Sequence, residues 1–331
     1  MTEGPIVSVV TPCYNARPFL RAAYRSLQLQ TLEDWEWIIA DDGSTDKSLD
    51  YLQQIEEKDP RVHVYPGENT GLPAKARNRA LSLATAKYVA FLDADDYFHP
   101  EKLARQVELL ENNPDVGLTY SWVKEFRSGS GEKKAGVPTA FPRLEAGSDL
   151  FIKLLTRGNF LSMSTVMARR DLLQEFGGFD EDPDFRIGED LDLWLRIAKK
   201  TRIARTPGIL AAYRLHSGNV TKSGDFRFTE MIRQKLERRG DLEGHARRKF
   251  YSVYYLKRAE YGLLGIVNTD ARKDFLRALK LDPLNPKRWM AALPVLILPA
   301  KYRRRFYSVM KNIQTRINRK RGSLHKFGAN A

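Results

Sequence analysis

The chain has 331 residues, 42% of them hydrophobic and 29% charged, a composition suited to one large soluble domain with an appendage. Its single cysteine, Cys13, excludes an internal disulfide and a cysteine-rich zinc site. The net charge of +14 is unevenly placed, since residues 225–331 hold 26 Lys and Arg against 9 Asp and Glu while residues 1–224 carry −3, so positive charge cannot explain chemistry seated in the first two-thirds.

Met1–Pro5 has neither a basic nor an apolar stretch and does not read as a signal peptide. Ile6–Pro12 reads as a first strand, followed by Tyr14-Asn15 and a helical pattern from Pro18 to Gln30. Trp35–Ala40 is a second strand ending in Asp41-Asp42-Gly43-Ser44-Thr45-Asp46. There Gly43 permits a tight turn, and Ser44 or Thr45 is expected to cap a helix running toward Glu57. Arg61–Tyr65 is a short third strand, Gly71 opens a helix through Ala84, and Tyr88–Leu92 is a fourth strand. Such alternation predicts a parallel α/β sheet with right-handed crossovers.

The fourth strand ends abruptly in Asp93-Ala94-Asp95-Asp96, three carboxylates within four residues. Carboxylates packed at the carboxyl end of a strand repel one another unless a cation sits between them, and oxygen ligands suit Mg²⁺ or Mn²⁺ rather than zinc. A solvated acidic turn is the alternative for this motif alone. Residues 126–147, rich in Gly, Ser and Lys with two prolines, read as a hairpin tip or loop, and Gly158–Thr165 leads into a strand through Met167; the acceptor is expected to meet these two segments. Leu191, Trp194, Leu195 and Ala198 then mark an amphipathic helix with Glu189 and Asp190 in its first turn, where the helix dipole keeps carboxylates ionised.

From about Phe226 the pattern becomes helical and basic, and Phe275–Pro283 is similar to the end of a tetratricopeptide-type helix in a single copy. The apolar stretch Trp289–Ala300 is too short to span a bilayer and is interrupted by Pro294 and Pro299. With Lys301, Arg303, Arg304 and Arg305 beside it, it suits the plane of an anionic membrane; a core helix packed on the first domain is the alternative. No nucleic-acid-binding module accompanies the charge, and nucleic acid is not expected as a partner.

The set Thr11-Pro12-Cys13-Tyr14-Asn15, Asp41–Asp46, Asn69-Thr70-Gly71, Ala76-Arg77-Asn78, Asp93–Asp96, Gly188–Trp194 and Tyr213-Arg214-Leu215-His216 resembles the inverting glycosyltransferases of family 2. The resemblance covers roughly residues 4 to 222. It implies an α/β GT-A-type domain over 1–222 with a mainly parallel central sheet flanked by helices, followed by a basic helical extension over 223–331. It further implies a donor that is a nucleotide-diphospho-sugar, of the UDP class, and a glycan or lipid-linked acceptor in cell-surface polysaccharide or glycolipid synthesis. The protein would then work in the cytoplasm at the inner face of the membrane.

By the same resemblance Thr11, Pro12, Tyr14, Asp42, Arg77, Asp93 and Ala94 bind the donor. Asp95 and His216 hold a divalent cation, Mn²⁺ or Mg²⁺, and Asp190 is the base that deprotonates the acceptor. Glu189 and Trp194 are expected at the acceptor, although Trp194 at this point is equally a core residue. Other readings stay open for single residues: a loop aromatic for Tyr14, a turn former for Asp42, a surface salt bridge for Arg77, and dipole compensation for Asp190. Cys13 reads as a small filler rather than a nucleophile, since no base is marked beside it. A nucleotidyltransferase is the main competing enzyme class, but Thr11–Arg17 lacks a Gly-rich basic loop. A dehydrogenase would need Gly-X-Gly-X-X-Gly after the first strand. A nucleotide-sugar- or membrane-binding relative without turnover is the non-enzymatic alternative.

Overall fold

The computed structural model describes residues 4–127, 149–185, 187–216, 226–298 and 302. These fall into two compact units, one drawn from Met1–Leu150 and Asn159–Val220, the other from Phe151–Gly158 and Thr221–Ala331. In chain order the elements are β1 (Val7–Cys13), α1 (Arg17–Gln28), β2 (Trp35–Asp41), α2 (Ser48–Glu56), β3 (Val62–Pro66), α3 (Pro73–Ser82) and β4 (Tyr88–Phe91). Then follow β5 (Tyr97–Phe98), α4 (Lys102–Asn112), β6 (Val116–Arg127), α5 (Leu150–Arg157), β7 (Met167–Arg169), α6 (Arg170–Glu175), α7 (Glu189–Lys200) and β8 (Arg202–Leu215). The remaining helices are α8 (Phe226–Arg238), α9 (Gly244–Leu263), α10 (Ala271–Leu281) and α11 (Pro286–Ile297).

The first unit holds one sheet of order β3-β2-β1-β4-β7-β6-β8-β5. β1 and β2 are nearly continuous apolar runs because both faces of these central strands are covered. The exception, Glu36, is satisfied by the Ser8 hydroxyl (2.5 Å) and by the amide and hydroxyl of Thr85 (2.9 and 2.7 Å). The four expected strands pair in parallel, β3 with β2, β2 with β1 and β1 with β4. The sheet as a whole is mixed with parallel pairing in the majority: β6 also pairs in parallel with β8, so four of its seven pairings are parallel. β7 runs antiparallel to both β4 and β6, and β5 antiparallel to β8. Only the first half is made of strand–helix–strand units, whose crossover forces parallel pairing.

One pairing matters for function. In the register of β5 with β8, Tyr97 lies opposite Ala212, which draws the chain after Ala212 back past Asp96 and Asp95. Two distant motifs are thereby brought together.

The expected cap of α2 is not formed by Ser44 or Thr45. Lys47 precedes the helix with φ +66°, and the turn before it is tied instead to the loop after β1. Ser48 Oγ accepts the Ala16 amide (2.9 Å) and Asp46 Oδ2 the Arg17 amide (3.0 Å), so the turn after β2 supplies the capping bonds of α1 in trans.

In the second unit α9, α10 and α11 enclose a small core of Ala259, Phe275, Leu279, Ala292 and Val295. Asp270 caps α10 through the amides of Arg272 and Lys273. Buried Asp274 accepts from Arg258 Nε (2.7 Å) and the Thr269 hydroxyl (2.6 Å). α11 contributes Ala292 and Val295 to this core and leaves Trp289, Met290, Leu293 and Ile297 exposed. Among the described residues no helix is long and apolar enough to cross a membrane. Pro299, Lys301 and Arg303–Arg305 lie outside the described residues, as do 128–147 of the expected loop.

Candidate active site

The loops at the carboxyl ends of β1, β2 and β4 meet, where an open α/β sheet places its ligands. The loop after β1 is stitched to the turn after β2. The Asn15 amide donates to Ser44 Oγ (2.9 Å), and Asn15 Oδ1 accepts the Thr45 amide (2.8 Å). Tyr14 is 51% exposed, with its ring available for stacking. Pro12 is half-buried, while Thr11 is buried with its hydroxyl accepting Trp37 Nε1 (2.8 Å). The Thr11 side chain therefore supports the strand end from below. Cys13 is buried, and burial followed by the charge of Asp41 pushes its thiol up to about 12, which leaves it inert as a nucleophile.

Asp42 is buried, and its carboxylate faces the segment after β3. Oδ1 accepts from the Thr70 amide (3.1 Å) and hydroxyl (3.0 Å), and Oδ2 from the Gly71 amide (3.2 Å). Gly43 is required here: with φ +74°, a Cβ would lie 2.8 Å from the Asn69 backbone nitrogen, which cannot retreat. This rigid cradle joins Tyr14, Asp42 and Thr70 on one rim.

Arg77 is buried rather than a surface residue. It donates from Nη1 to Glu189 Oε1 (2.7 Å) and from Nη2 to Asp93 Oδ1 (3.2 Å), clamping the end of β4 to the start of α7. Glu189 is itself buried on this arginine and ties the start of α7 into the clamp. Trp194 is fully buried, its ring 5.9 Å from Phe91 and 6.0 Å from Phe179, and offers no face to a sugar. Of the two readings of Trp194, the core one describes this structure, because it lies on the same inward stripe as Leu191 and Leu195.

The acidic turn is closely organised. Ala94 is buried between its two acidic neighbours in sequence. Asp96 is fully buried and accepts the Ser164 hydroxyl (2.6 Å) and the Arg214 amide (2.9 Å). The Asp93 amide donates to the same Ser164 Oγ (3.1 Å). Burial, and then the neighbouring carboxylates, push Asp96 well above the usual range; burial likewise raises Asp93, against the pull of Arg77. Asp95 keeps its carboxylate at the surface of this cluster, with Oδ2 2.8 Å from His216 Nε2. The His216 ring stacks on Phe19, centroids 4.7 Å apart, and Arg214 Nε donates to the Asp95 carbonyl (2.8 Å).

Among the described residues no group of three or more metal-ligating side chains is assembled. The pair Asp95 and His216 nevertheless fits Mg²⁺ or Mn²⁺ held jointly with a diphosphate, since such ions take one or two protein ligands and complete their shell with phosphate and water. The surrounding excess of carboxylate over arginine charge favours a cation at that point.

Asp190 is the second residue of α7, which begins after Gly188, whose φ is +101°. Its Oδ1 accepts the Leu191 amide (2.7 Å) and its Oδ2 accepts Asn159 Nδ2 (2.5 Å). Burial, then the charge of Glu189, push its carboxyl up to about 7, which suits a base working near neutrality. Sequence reasoning gives Phe19 no role and Asn159 only a place in a segment expected to meet the acceptor: one lies in the first turn of α1 and the other in an irregular loop, where no periodicity marks a role.

Comparison with known proteins shows the family and the fold. Residues 8–177 match the family model of glycosyl transferase family 2. TuaG of Bacillus subtilis, a protein named for teichuronic acid biosynthesis, is 36% identical over 221 residues, 66% of this chain and 82% of that protein. The Escherichia coli UDP-Glc:alpha-D-GlcNAc-diphosphoundecaprenol beta-1,3-glucosyltransferase WfaP is 30% identical over 231 residues, 69% of this chain and 84% of that one. Among solved structures, TarS residues 1–349 of S. aureus with UDP-GlcNAc superposes with a TM-score of 0.60 at 20% identity, covering 93% of this chain and 91% of that one, which shows a shared GT-A-like fold. The chain belongs to glycosyl transferase family 2 and is a glycosyltransferase.

Proposed function

We propose that this family 2 enzyme transfers a sugar from a UDP-sugar to an acceptor hydroxyl with inversion, in the assembly of a cell-surface polysaccharide or glycolipid. The observation that carries the reading is the meeting of Asp95 with His216 at 2.8 Å, one clamp away from a carboxyl pushed up to about 7 at Asp190. The exposed Tyr14 ring and the Asp42 carboxylate supply a stacking face and an acceptor for a uracil, as the family resemblance implies. Asp95 and His216 would hold Mn²⁺ or Mg²⁺, which when bound neutralises the diphosphate as it departs. Asp190 accepts the proton of the acceptor hydroxyl, that oxygen forms its bond to the anomeric carbon, and the bond from that carbon to the diphosphate breaks to release UDP. Arg77 holds Asp93 and Asp190's neighbour Glu189 in fixed relation, so donor and acceptor sides keep their spacing.

The names of TuaG and WfaP support a glycan or lipid-linked acceptor for this chain. A screen of UDP-glucose, UDP-GlcNAc and other UDP-sugars with Mn²⁺ tests the reading. UDP release that is stimulated by a diphospholipid-linked sugar acceptor is expected, and turnover of nucleoside triphosphates instead would overturn it.

A domain division at residues 222/223 and peripheral association with the cytoplasmic membrane face belong to the same proposal. Residues 283–331 contain 12 basic and no acidic residues, and α11 leaves an apolar face exposed. Each basic residue near an anionic surface contributes about 1 kcal/mol. The full chain is expected to sediment with anionic vesicles at low salt and to be partly released at high salt. A Leu293→Asp, Ile297→Asp variant of the exposed face should sediment markedly less; equal sedimentation of both proteins would remove α11 from the contact.

A further inference from the structure

We propose that Asn159 is a positioning residue for the transfer reaction: its side-chain amide donates to the Asp190 carboxylate and holds it oriented toward the acceptor. The inference rests on the reading of Asp190 as the base. The sequence reading places Asn159 only within a segment expected to meet the acceptor, and two features of the structure give it a specific role.

The first is the orientation of the amide. Asn159 Oδ1 accepts the Leu161 amide (3.1 Å), so the oxygen is committed to its own loop and the Nδ2 donor faces Asp190 Oδ2 at 2.5 Å. The second is the division of labour on the carboxylate. Oδ1 is occupied by the Leu191 amide (2.7 Å), and Oδ2 by Asn159, which leaves Oδ2 with one further direction in which to receive a proton.

The charged groups around Asp190 are Glu189 and Asp93, which oppose its ionisation, and Arg77, which favours it. Asn159 adds a neutral donor to the ionised form. A hydrogen bond to a charged group strengthens that form, so its removal should move the ionisation upward. The resulting split is specific. Loss of the donor should lower the rate at neutral pH and spare it at high pH, where Asp190 is ionised in any case.

The test is the pH profile of UDP release from the UDP-sugar that turns over in the screen above, for the wild type, Asn159→Ala, Asn159→Asp and Asp190→Asn. Asn159→Ala should shift the acid limb upward by about one pH unit and lower the rate at pH 7 by about fivefold to tenfold, with near-normal rate at pH 9 and unchanged donor KM. Asn159→Asp keeps an acceptor for the Leu161 amide but sets a carboxylate against Asp190, so its limb should shift further still. A loop-stabilising role alone would leave Asn159→Asp silent, or lower the rate equally at every pH, and either result overturns the proposal. Near-normal transfer by Asp190→Asn would overturn the base assignment itself, which separates the two failures.

Discussion

Replacing Asp190 by Asn is expected to slow sugar transfer by roughly 100-fold or more while donor binding survives. The carboxyl sits at the first turn of α7 with burial and Glu189 pushing it up to about 7, so in the wild type the rate should climb as pH rises through that value and the group ionises. The amide cannot accept a proton at any pH, and the climb should disappear with it. The sign of the stability effect separates lost chemistry from lost fold. A carboxyl whose folded pKa is raised binds its proton more tightly in the folded state, so its contribution to stability is present at low pH and is lost as pH rises toward 7. The Asn variant escapes that loss, and at pH 8 it should be at least as stable as the wild type in urea. A variant that is both inactive and unstable at pH 8 would point to a structural role for Asp190.

Arg77→Met is expected to destabilise the first unit by about 3–5 kcal/mol, the scale for breaking a buried ion pair by removing one partner. The side chain is buried between Asp93 and Glu189, with the Asp190 carboxyl also near it. Methionine fills comparable volume, but it leaves Asp93 and Glu189 as buried acids without their cation. The unfolding midpoint in urea should therefore fall sharply above neutral pH and less at low pH, where the acids are protonated. Adding Glu189→Gln should restore part of the loss by removing one of the stranded charges. A midpoint within the error of the wild type would mean that the clamp contributes nothing net to stability.

The parts of this molecule legible in sequence were those with a strong local signal. β1 to β4 and the helices between them follow from apolar runs and turn residues, and their observed ends lie within a few positions of those expected. The acidic turn is legible from the residues themselves, but the Asp95–His216 encounter is legible only through family resemblance, because the pairing of β5 with β8 that joins them is a two-residue strand with no periodicity to read. The expected cap of α2 failed because Ser44, Asp46 and Ser48 spend their side chains across the loop on Asn15, Arg17 and Ala16. A local rule for helix starts does not see a bond made in trans. Arg77, Glu189 and Trp194 carry the same lesson: polar or aromatic residues near a site motif can be buried in support of it, and burial is a property of packing that spacing along the chain does not show. The reversal to a mixed sheet at β7 arises from a three-residue strand that hydropathy could not orient.

The central claim is a metal-assisted UDP site built on Asp95 and His216. Calorimetric titration of UDP into the full chain, with and without Mn²⁺, tests it most directly when repeated on Asp95→Asn. UDP binding is expected to strengthen on adding Mn²⁺ to the wild type and to lose that strengthening in Asp95→Asn, with thermal unfolding of the two proteins unchanged. Equal affinity of the wild type and the variant for UDP in Mn²⁺ would contradict the claim.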